Sequence, residues 1–492
     1  MFRFPQTVGR ALLPLAFASV ALALGAGPAA AETQAGYDKG FFIKSDAWEI
    51  HFGTRMQLQY SMTSPDTFMY DSTLGKQEDT ENLNELNVRR FKFYMNGTVF
   101  KPALKWKVQF DIERFKPGGG GTGNLRLEEA YLDLTQKPWW QLRLGQFKVP
   151  YGYEKMTSSG KLNIVDRSIV HSFFGIDQEP GVNLYGMSFD KKFRYDVAVT
   201  TGASDNKGFD TRNEVAASGE SDFRYMMRGT WEPLAPYAWE QGAVSHPDKP
   251  QLSVQLGVML NKTAIPQDKD PFLPSGGILP FKNDVLGAKS ATFADLDVDP
   301  DGTGPEKPLL TRWSAVSNDR KPYDRLEYEL VAAFKYSRFA IEGQYITGDV
   351  DPEMKYLRGA DDSLKDLAID NTGLRLQGGI FILPTRLEVA GRWASVDREA
   401  KASFTSDPSV KEEIDQSEWR IGLNWYFSRH DWKWQFDYGE ISSEWALNGT
   451  NVAVPKRSDF PGPPPGSGYD NKVISNNTRK DKEFRTQFQI QF

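Results

Sequence analysis

The sequence contains no cysteine and only four histidines among its 492 residues. The absence of cysteine fits an exported protein that needs no disulfide framework. A net charge of −6 argues against nucleic acid as a partner. After the N-terminal segment, no apolar run approaches the ~20 residues that a membrane-spanning helix requires. The mean hydropathy of −0.52 would indicate a soluble protein, but a β-barrel escapes this test because only alternate residues of its strands face lipid.

The N-terminal segment has the pattern of a secretory signal peptide. Two arginines precede an apolar run from Ala11 to about Gly27, and Ala29-Ala30-Ala31 forms an A-x-A cleavage site. The sequence therefore predicts a signal peptide over residues 1–31 and one mature domain over 32–492. Removing the signal peptide takes away two arginines and no acidic residue, so the mature chain carries a charge of −8.

The segment Glu483 to Phe492 alternates between apolar and polar residues, with Thr486 as the exception. One face carries Phe484, Phe488, Ile490 and Phe492, and the other carries Arg485, Gln487, Gln489 and Gln491. Such a strand suits a wall with lipid on one side and water on the other. The segment also resembles the C-terminal strand signal of bacterial outer-membrane β-barrels.

The same alternation recurs along the mature chain and predicts sixteen strands. We expect them near 48–60, 90–99, 104–113, 125–134, 140–147, 181–190, 193–202, 222–231, 251–261, 325–336, 339–347, 372–383, 385–396, 417–427, 431–445 and 483–492. The register is poor in the fourth, fifth and sixth, which indicates a β-bulge or a misplaced boundary.

The connections alternate between short and long, as expected of a barrel with tight periplasmic turns and long external loops. The exception is the link 232–250, which is too long for a tight turn. The fold class predicted is an all-β, 16-stranded antiparallel transmembrane barrel in the outer membrane, wide enough for an aqueous channel. A secreted β-sandwich or propeller is the alternative, but it does not explain the loop rhythm and the terminal aromatic together.

Several segments resemble the phosphate-selective porin O and P family of outer-membrane channels. They are GYDKGFFIKS (36–45), NVRRFKFYMNG (87–97), EEAYLDL (128–134) and LGQFKVPYGYEKMTSS (144–159) followed by Asp166-Arg167-Ser168. The resemblance implies a homotrimer of sixteen-stranded barrels that admits small anions such as phosphate. It also implies that the third loop, 148–180, folds into the pore.

By this resemblance, Arg89 and Arg90 correspond to the paired arginines that line the constriction, and Lys148 is a weaker match. Two observations leave phosphate selectivity open. Lys92 stands where the phosphate channels carry a tyrosine, and the basic and acidic residues of loop 148–180 are equal in number. A general or sugar-type diffusion porin is therefore the alternative, and Tyr151 and Tyr153 would offer it an aromatic track.

Strand parity selects the residues that face the water in the pore. It points Arg55, Arg90, Lys92, Lys105 and Lys107 inward, within a mixed wall that has a modest excess of positive charge. The basic residues of the pore loop are Lys155, Lys161 and Arg167.

The inward cations on the second and third strands form the densest basic group. They have two interpretations: an anion path, or a wall neutralised by Asp111, Glu113 and Glu129. Arg89 has the opposite parity to Arg90 and reaches the lumen only if a β-bulge intervenes or the strand end bends inward.

Other functions find little support in the sequence. A barrel enzyme would need a histidine with serine or aspartate at the rim of the barrel. The histidines available are His51, His171, His246 and His430, and none of them is predicted to be catalytic. No cofactor is predicted. Within loop 262–324, Asp297-x-Asp299-x-Asp301-Gly302 begins like a calcium loop, but the twelfth position is Pro308, which favours a solvated acidic loop over a metal site.

Overall fold

A computed structural model describes residues 33–37, 40–64, 68–71, 76–79, 82–100, 103–112, 125–201, 223–265, 321–352, 369–400, 412–447, 450–451, 472–473 and 478–492. The predicted signal peptide and the Asp297–Asp301 segment lie outside these ranges, as does Glu113. No helix among the described residues is long and apolar enough to cross a membrane.

The described residues form sixteen long strands and several short ones. In chain order the long strands are β3 (Trp48–Ser64), β6 (Leu83–Val99), β7 (Leu104–Ile112), β8 (Leu125–Lys137), β9 (Trp140–Lys148), β10 (Gln178–Met187), β11 (Phe193–Thr200), β12 (Arg224–Trp231), β13 (Gln251–Ile265), β14 (Lys321–Tyr336), β15 (Phe339–Pro352), β16 (Ile369–Leu383), β17 (Leu387–Ala400), β18 (Glu412–Ser428), β19 (Trp432–Leu447) and β22 (Thr478–Gln491). Each pairs antiparallel with its neighbours, and β22 pairs with β3, which closes the barrel. The predicted sixteen-stranded barrel is confirmed.

The short strands lie at the two ends of the barrel. A hairpin of β1 (Gln34–Tyr37) and β2 (Phe41–Lys44) continues the sheet at one end, where β2 pairs with the first residues of β3. A small separate sheet contains β4 (Phe68–Asp71), β5 (Lys76–Asp79) and β21 (Lys472–Val473), and β20 (Thr450–Asn451) pairs with β19.

Each strand has one apolar and one polar face, and the apolar face points outward. On β3, Met56 and Leu58 are exposed to the outside, whereas Arg55, Gln57 and Gln59 are buried on the inner side. Exposed aromatic side chains gather at the end with the short turns, which is the periplasmic end in outer-membrane barrels. They include Trp139, Trp140, Phe193, Trp231 and Trp432.

Two β-bulges adjust the register next to the candidate site. On β6, Gln57 of β3 pairs with Arg90 and Leu58 pairs with Val88, so Arg89 is the extra residue. On β8, the pairing passes from Glu129 to Leu127 and leaves Glu128 as the extra residue. The first is one of the two conditions under which Arg89 was expected to reach the lumen, and the second accounts for the poor register of the fourth strand.

Some boundaries differ from the sequence prediction. β10 ends at Met187 rather than 190, because Ser188 begins a turn in which its hydroxyl accepts a hydrogen bond from the Phe193 amide at 3.1 Å. Strands β14 to β19 extend further toward the external end than predicted.

Candidate ion pathway

Residues 149–177, the connection between β9 and β10, pack against the polar inner faces of the barrel strands. The segment contains helix α1 (Tyr153–Met156), a 3₁₀ turn (Ser159–Lys161) and helix α2 (Ile169–Phe174). Ser168 caps α2 by accepting a hydrogen bond from the His171 amide at 3.2 Å. This segment, which lies within the predicted range 148–180, is the third loop.

Both arms of the third loop pack on apolar residues of the inner wall. Val149, Tyr151 and Ile176 form one buried cluster with Met226 and Met259. In α2, the side chains of Ile169, Val170 and Phe174 form a second buried cluster with Ile346, Ala394 and Val396 of β15 and β17. The loop is therefore held on the side of the barrel formed by β11 to β19.

Wall carboxylates accept hydrogen bonds from backbone amides of the third loop. Glu329 of β14 binds the amides of Gly152 and Tyr153 at 3.1 and 2.7 Å, at the start of α1. The Asp437 carboxylate binds the Val165 amide at 2.9 Å. Glu418 binds the Ile169 amide at 3.0 Å. These buried acids satisfy amides that would otherwise lack partners.

Wall cations and amides bind the carbonyls of the same loop. Arg392 donates to the Asp166 carbonyl at 2.7 Å, Lys433 to the Leu162 carbonyl at 2.6 Å and Gln489 to the Gly160 carbonyl at 3.0 Å. Much of the mixed charge of the inner wall on this side therefore fixes the loop rather than facing solute.

An elongated cavity of about 1190 Å³ lies on the opposite side, between the third loop and strands β3 and β6 to β9. Its basic lining consists of Arg55, Arg89, Arg90, Lys92, Lys105, Lys107, Arg126, Arg143, Lys148, Lys155, Lys161 and Arg167. Its acidic lining consists of Glu49, Asp111, Glu128, Glu129, Asp133, Asp177 and Asp431. The twelve basic and seven acidic residues give the cavity a positive excess, although the chain is acidic overall.

The cavity brings together all ten basic residues selected from the sequence as pore-lining or pore-loop candidates. Tyr151 and Tyr153 lie elsewhere, contrary to expectation. Tyr151 is fully buried in the apolar cluster, and Tyr153 packs with Tyr237 and Val331. Neither ring offers an aromatic track to solute.

Several of the inward cations are paired with carboxylates. Lys92 contacts Glu128 directly and lies 3.4 Å from Asp111. The Lys107 ammonium lies 2.6 Å from Glu129. The group on the second and third strands is thus largely neutralised, as one of its two interpretations held, with Glu128 as a partner that the sequence had not suggested.

The arginine pair is shared with the third loop. Asp166 lies 3.4 Å from Arg89 and 3.3 Å from Arg90, and Arg485 of β22 approaches the same carboxylate at 3.6 Å. Arg90 also donates to Gln57 at 3.0 Å. One carboxylate therefore serves three guanidinium groups.

Five basic residues of the cavity have no carboxylate within 4.0 Å among the residues described: Arg55, Lys105, Lys148, Lys161 and Arg167. Arg55 donates to the hydroxyls of Ser158 and Ser159 at 3.0 and 2.9 Å. Arg167 donates to the carbonyls of Glu154 and Thr157 at 2.9 and 3.0 Å. Neutral groups are thus the hydrogen-bond partners of both guanidinium groups, and neither forms an ion pair among the described residues.

The third loop adds a cluster of mutually repelling cations. Burial lowers the pKa of Lys155 well below its ordinary value, and the charges of Arg167 and Lys148 lower it further. Burial likewise lowers the pKa of Arg167. Lys155 also pairs with Asp177 at the loop's end. A small anion between Lys148, Lys155 and Arg167 would relieve this repulsion.

The family model of phosphate-selective porin O and P matches residues 66–252. The predicted family resemblance is confirmed. The matched segment contains the arginine pair, the GQFK motif, the third loop and the link 232–250. The match and the closed barrel together support an outer-membrane porin channel. No curated protein matches the chain.

Solved structures with similar barrels share little sequence with this porin. The anion-selective porin from Comamonas acidovorans is 11% identical with a TM-score of 0.45, over 90% of this chain and 100% of that one. The outer-membrane channel DcaP of Acinetobacter baumannii is 11% identical with a TM-score of 0.46, over 93% and 100%. OmpF of Salmonella typhi, in a complex with daunomycin, is 10% identical with a TM-score of 0.43, over 93% and 100%.

Proposed function

We propose that this porin passes small anions, phosphate among them, through the cavity between the third loop and strands β3 and β6 to β9. The observation that supports this proposal is the positive excess of the cavity lining, twelve basic against seven acidic residues. Selectivity in a pore depends on the charges that face its water, so the acidic chain as a whole does not oppose it.

In this proposal the third loop narrows the pore, and Lys148, Lys155 and Arg167 form its main anion-binding group. Arg55 and Lys161 extend the positive lining of the cavity. Arg90, Lys92 and Lys107 contribute less, because buried carboxylates compensate them, whereas the Asp177 partner of Lys155 is exposed to water. By the same family resemblance, we propose a homotrimer.

Single-channel recording in planar bilayers tests the proposal. In a KCl gradient, the zero-current potential should have the sign of an anion-preferring pore. Adding phosphate at constant ionic strength should then reduce the chloride current, because phosphate competes for the same cations. An anion preference without phosphate inhibition would indicate a general anion pore, and a cation preference would contradict the proposal.

A further inference from the structure

The link 232–250, between β12 and β13, folds back into the barrel from the end that carries the short turns. Tyr237, Gln241, Ala243 and Val244 are each at most 4% exposed. A connection that lay outside the barrel mouth would not bury such residues. The link therefore occupies interior space.

Gln241 joins the link to the third loop. Its backbone amide donates to the Lys161 carbonyl at 2.9 Å. Its side-chain oxygen accepts from the Asn163 amide at 3.2 Å and from Gln377 of β16 at 2.8 Å. One residue thus connects the link, the loop next to Lys161 and the barrel wall.

The rest of the link is fixed to strands β13 to β18. Lys335 of β14 donates to the Ala238 carbonyl at 2.7 Å. Val244 packs with Phe381 of β16 and Tyr426 of β18. Gly242 has φ of +73°, a conformation that favours glycine, and a Cβ there would meet the Glu388 carboxylate at 2.3 Å.

We propose that the link seals the half of the lumen bounded by β13 to β19, so that solutes cross only through the cavity described above. In this account Gln241 is a positioning residue, because it holds Lys161 and Asn163 against the wall. The covered wall carries the buried carboxylate of Glu388, which Gly242 of the link approaches closely. Covering this acid makes the link a determinant of selectivity as well as of conductance; the selectivity part rests on the proposed anion preference.

Thiol accessibility tests the seal in a barrel with its link intact. The chain has no native cysteine, so single substitutions report unambiguously. Ser253 is fully buried on β13, opposite Ala333, which packs in one cluster with Tyr237. Asn96 lines the cavity. Asn96→Cys should react with a charged, water-soluble methanethiosulfonate reagent, whereas Ser253→Cys should stay unreactive. Comparable labelling rates at the two sites would overturn the seal.

Conductance tests the role of Gln241. Tyr237→Ala/Gln241→Ala should open a second aqueous path and raise single-channel conductance roughly twofold, since parallel paths of similar width add. The same variant should make Ser253→Cys reactive. Lys249→Ala, an exposed change in the same link, should alter neither measurement.

Conductance and anion preference, measured on the same Tyr237→Ala/Gln241→Ala variant, separate the seal from the proposed function. If conductance rises and the anion preference falls, both hold. If conductance rises in a channel with no anion preference, the seal holds and the proposed function fails. If folded Tyr237→Ala/Gln241→Ala conducts like the parent and its Ser253→Cys form stays unreactive, the link does not divide the lumen. The single variant Gln241→Glu keeps the acceptor oxygen and should therefore conduct like the parent.

Discussion

Arg89 of β6 and Asp166 of the third loop lie 3.4 Å apart, from Nη2 to Oδ1. They meet because the β-bulge on β6 makes Arg89 an extra residue and turns it away from the lipid face. Asp166, 77 positions further along the chain than Arg89, thereby contacts two successive arginines through one carboxylate. The bulge adds a charge to the cavity and also anchors the loop that bounds it.

The first prediction concerns this carboxylate. Asp166→Asn should strengthen anion preference, because it removes the negative charge that Arg89, Arg90 and Arg485 share. At an effective dielectric constant of about 20, one charge about 6 Å from an ion is worth roughly 2–3 kcal/mol before screening. The measurement is the zero-current potential in a tenfold KCl gradient. Asp190→Asn, in an exposed turn, is the control, and a shift toward cations would contradict the assignment.

The second prediction is a pH dependence that arises from Lys155. Because burial and neighbouring cations lower the pKa of Lys155, its charge should be lost as pH rises, before an ordinary lysine titrates at about 10.4. Anion preference is thus complete at low pH and falls as pH increases through the lowered pKa. Lys155→Arg should reduce the fall, since arginine keeps its charge. A parental channel with constant selectivity up to pH 10 would refute this role.

The third prediction concerns barrel closure. The Phe492 amide and carbonyl pair with Thr54 of β3 at 3.0 and 2.6 Å, and its ring is exposed toward the lipid side. Deleting Phe492 removes two hydrogen bonds of on the order of 1 kcal/mol each and the terminal aromatic. The yield of heat-modifiable barrel in the outer membrane should fall, while the channels that form keep the parental conductance. Normal yield would show that Phe492 is dispensable for assembly.

Alternation alone predicted most of the barrel, because a wall between lipid and water imposes the same two-sided pattern on every strand. A β-bulge was one of two ways in which Arg89 could reach the lumen, and the structure contains it. Parity on β3, β6 and β7 selected five cations of the cavity, and the family resemblance with the loop after the GQFK motif selected five more. Arg126 and Arg143 of the same lining were not among the predicted site residues.

The hydrogen bonds and ion pairs between the third loop and the barrel wall were not predictable to the same degree. Asp437 binds the amide of Val165, which lies 272 positions earlier in the sequence, and no local sequence pattern predicts such a contact. Strand parity can place Glu329, Asp437, Arg392 and Lys433 on the inner face, but it cannot show that they hold the backbone of the third loop. The length of the link 232–250 was the one signal that it has a role beyond a turn.

The zero-current potential of single channels, parental against Lys148→Gln/Lys155→Gln/Arg167→Gln, tests the central claim most directly. Lys191→Gln/Lys192→Gln/Lys249→Gln removes three exposed positive charges outside the cavity and is the matched control. In a tenfold KCl gradient, the parent and the control should show the same anion preference, and the cavity variant should lose most of it. The difference should shrink as salt rises, because the Debye length is about 10 Å at 0.1 M and shorter above it. A folded cavity variant with the parental potential would contradict the claim that these three residues select anions.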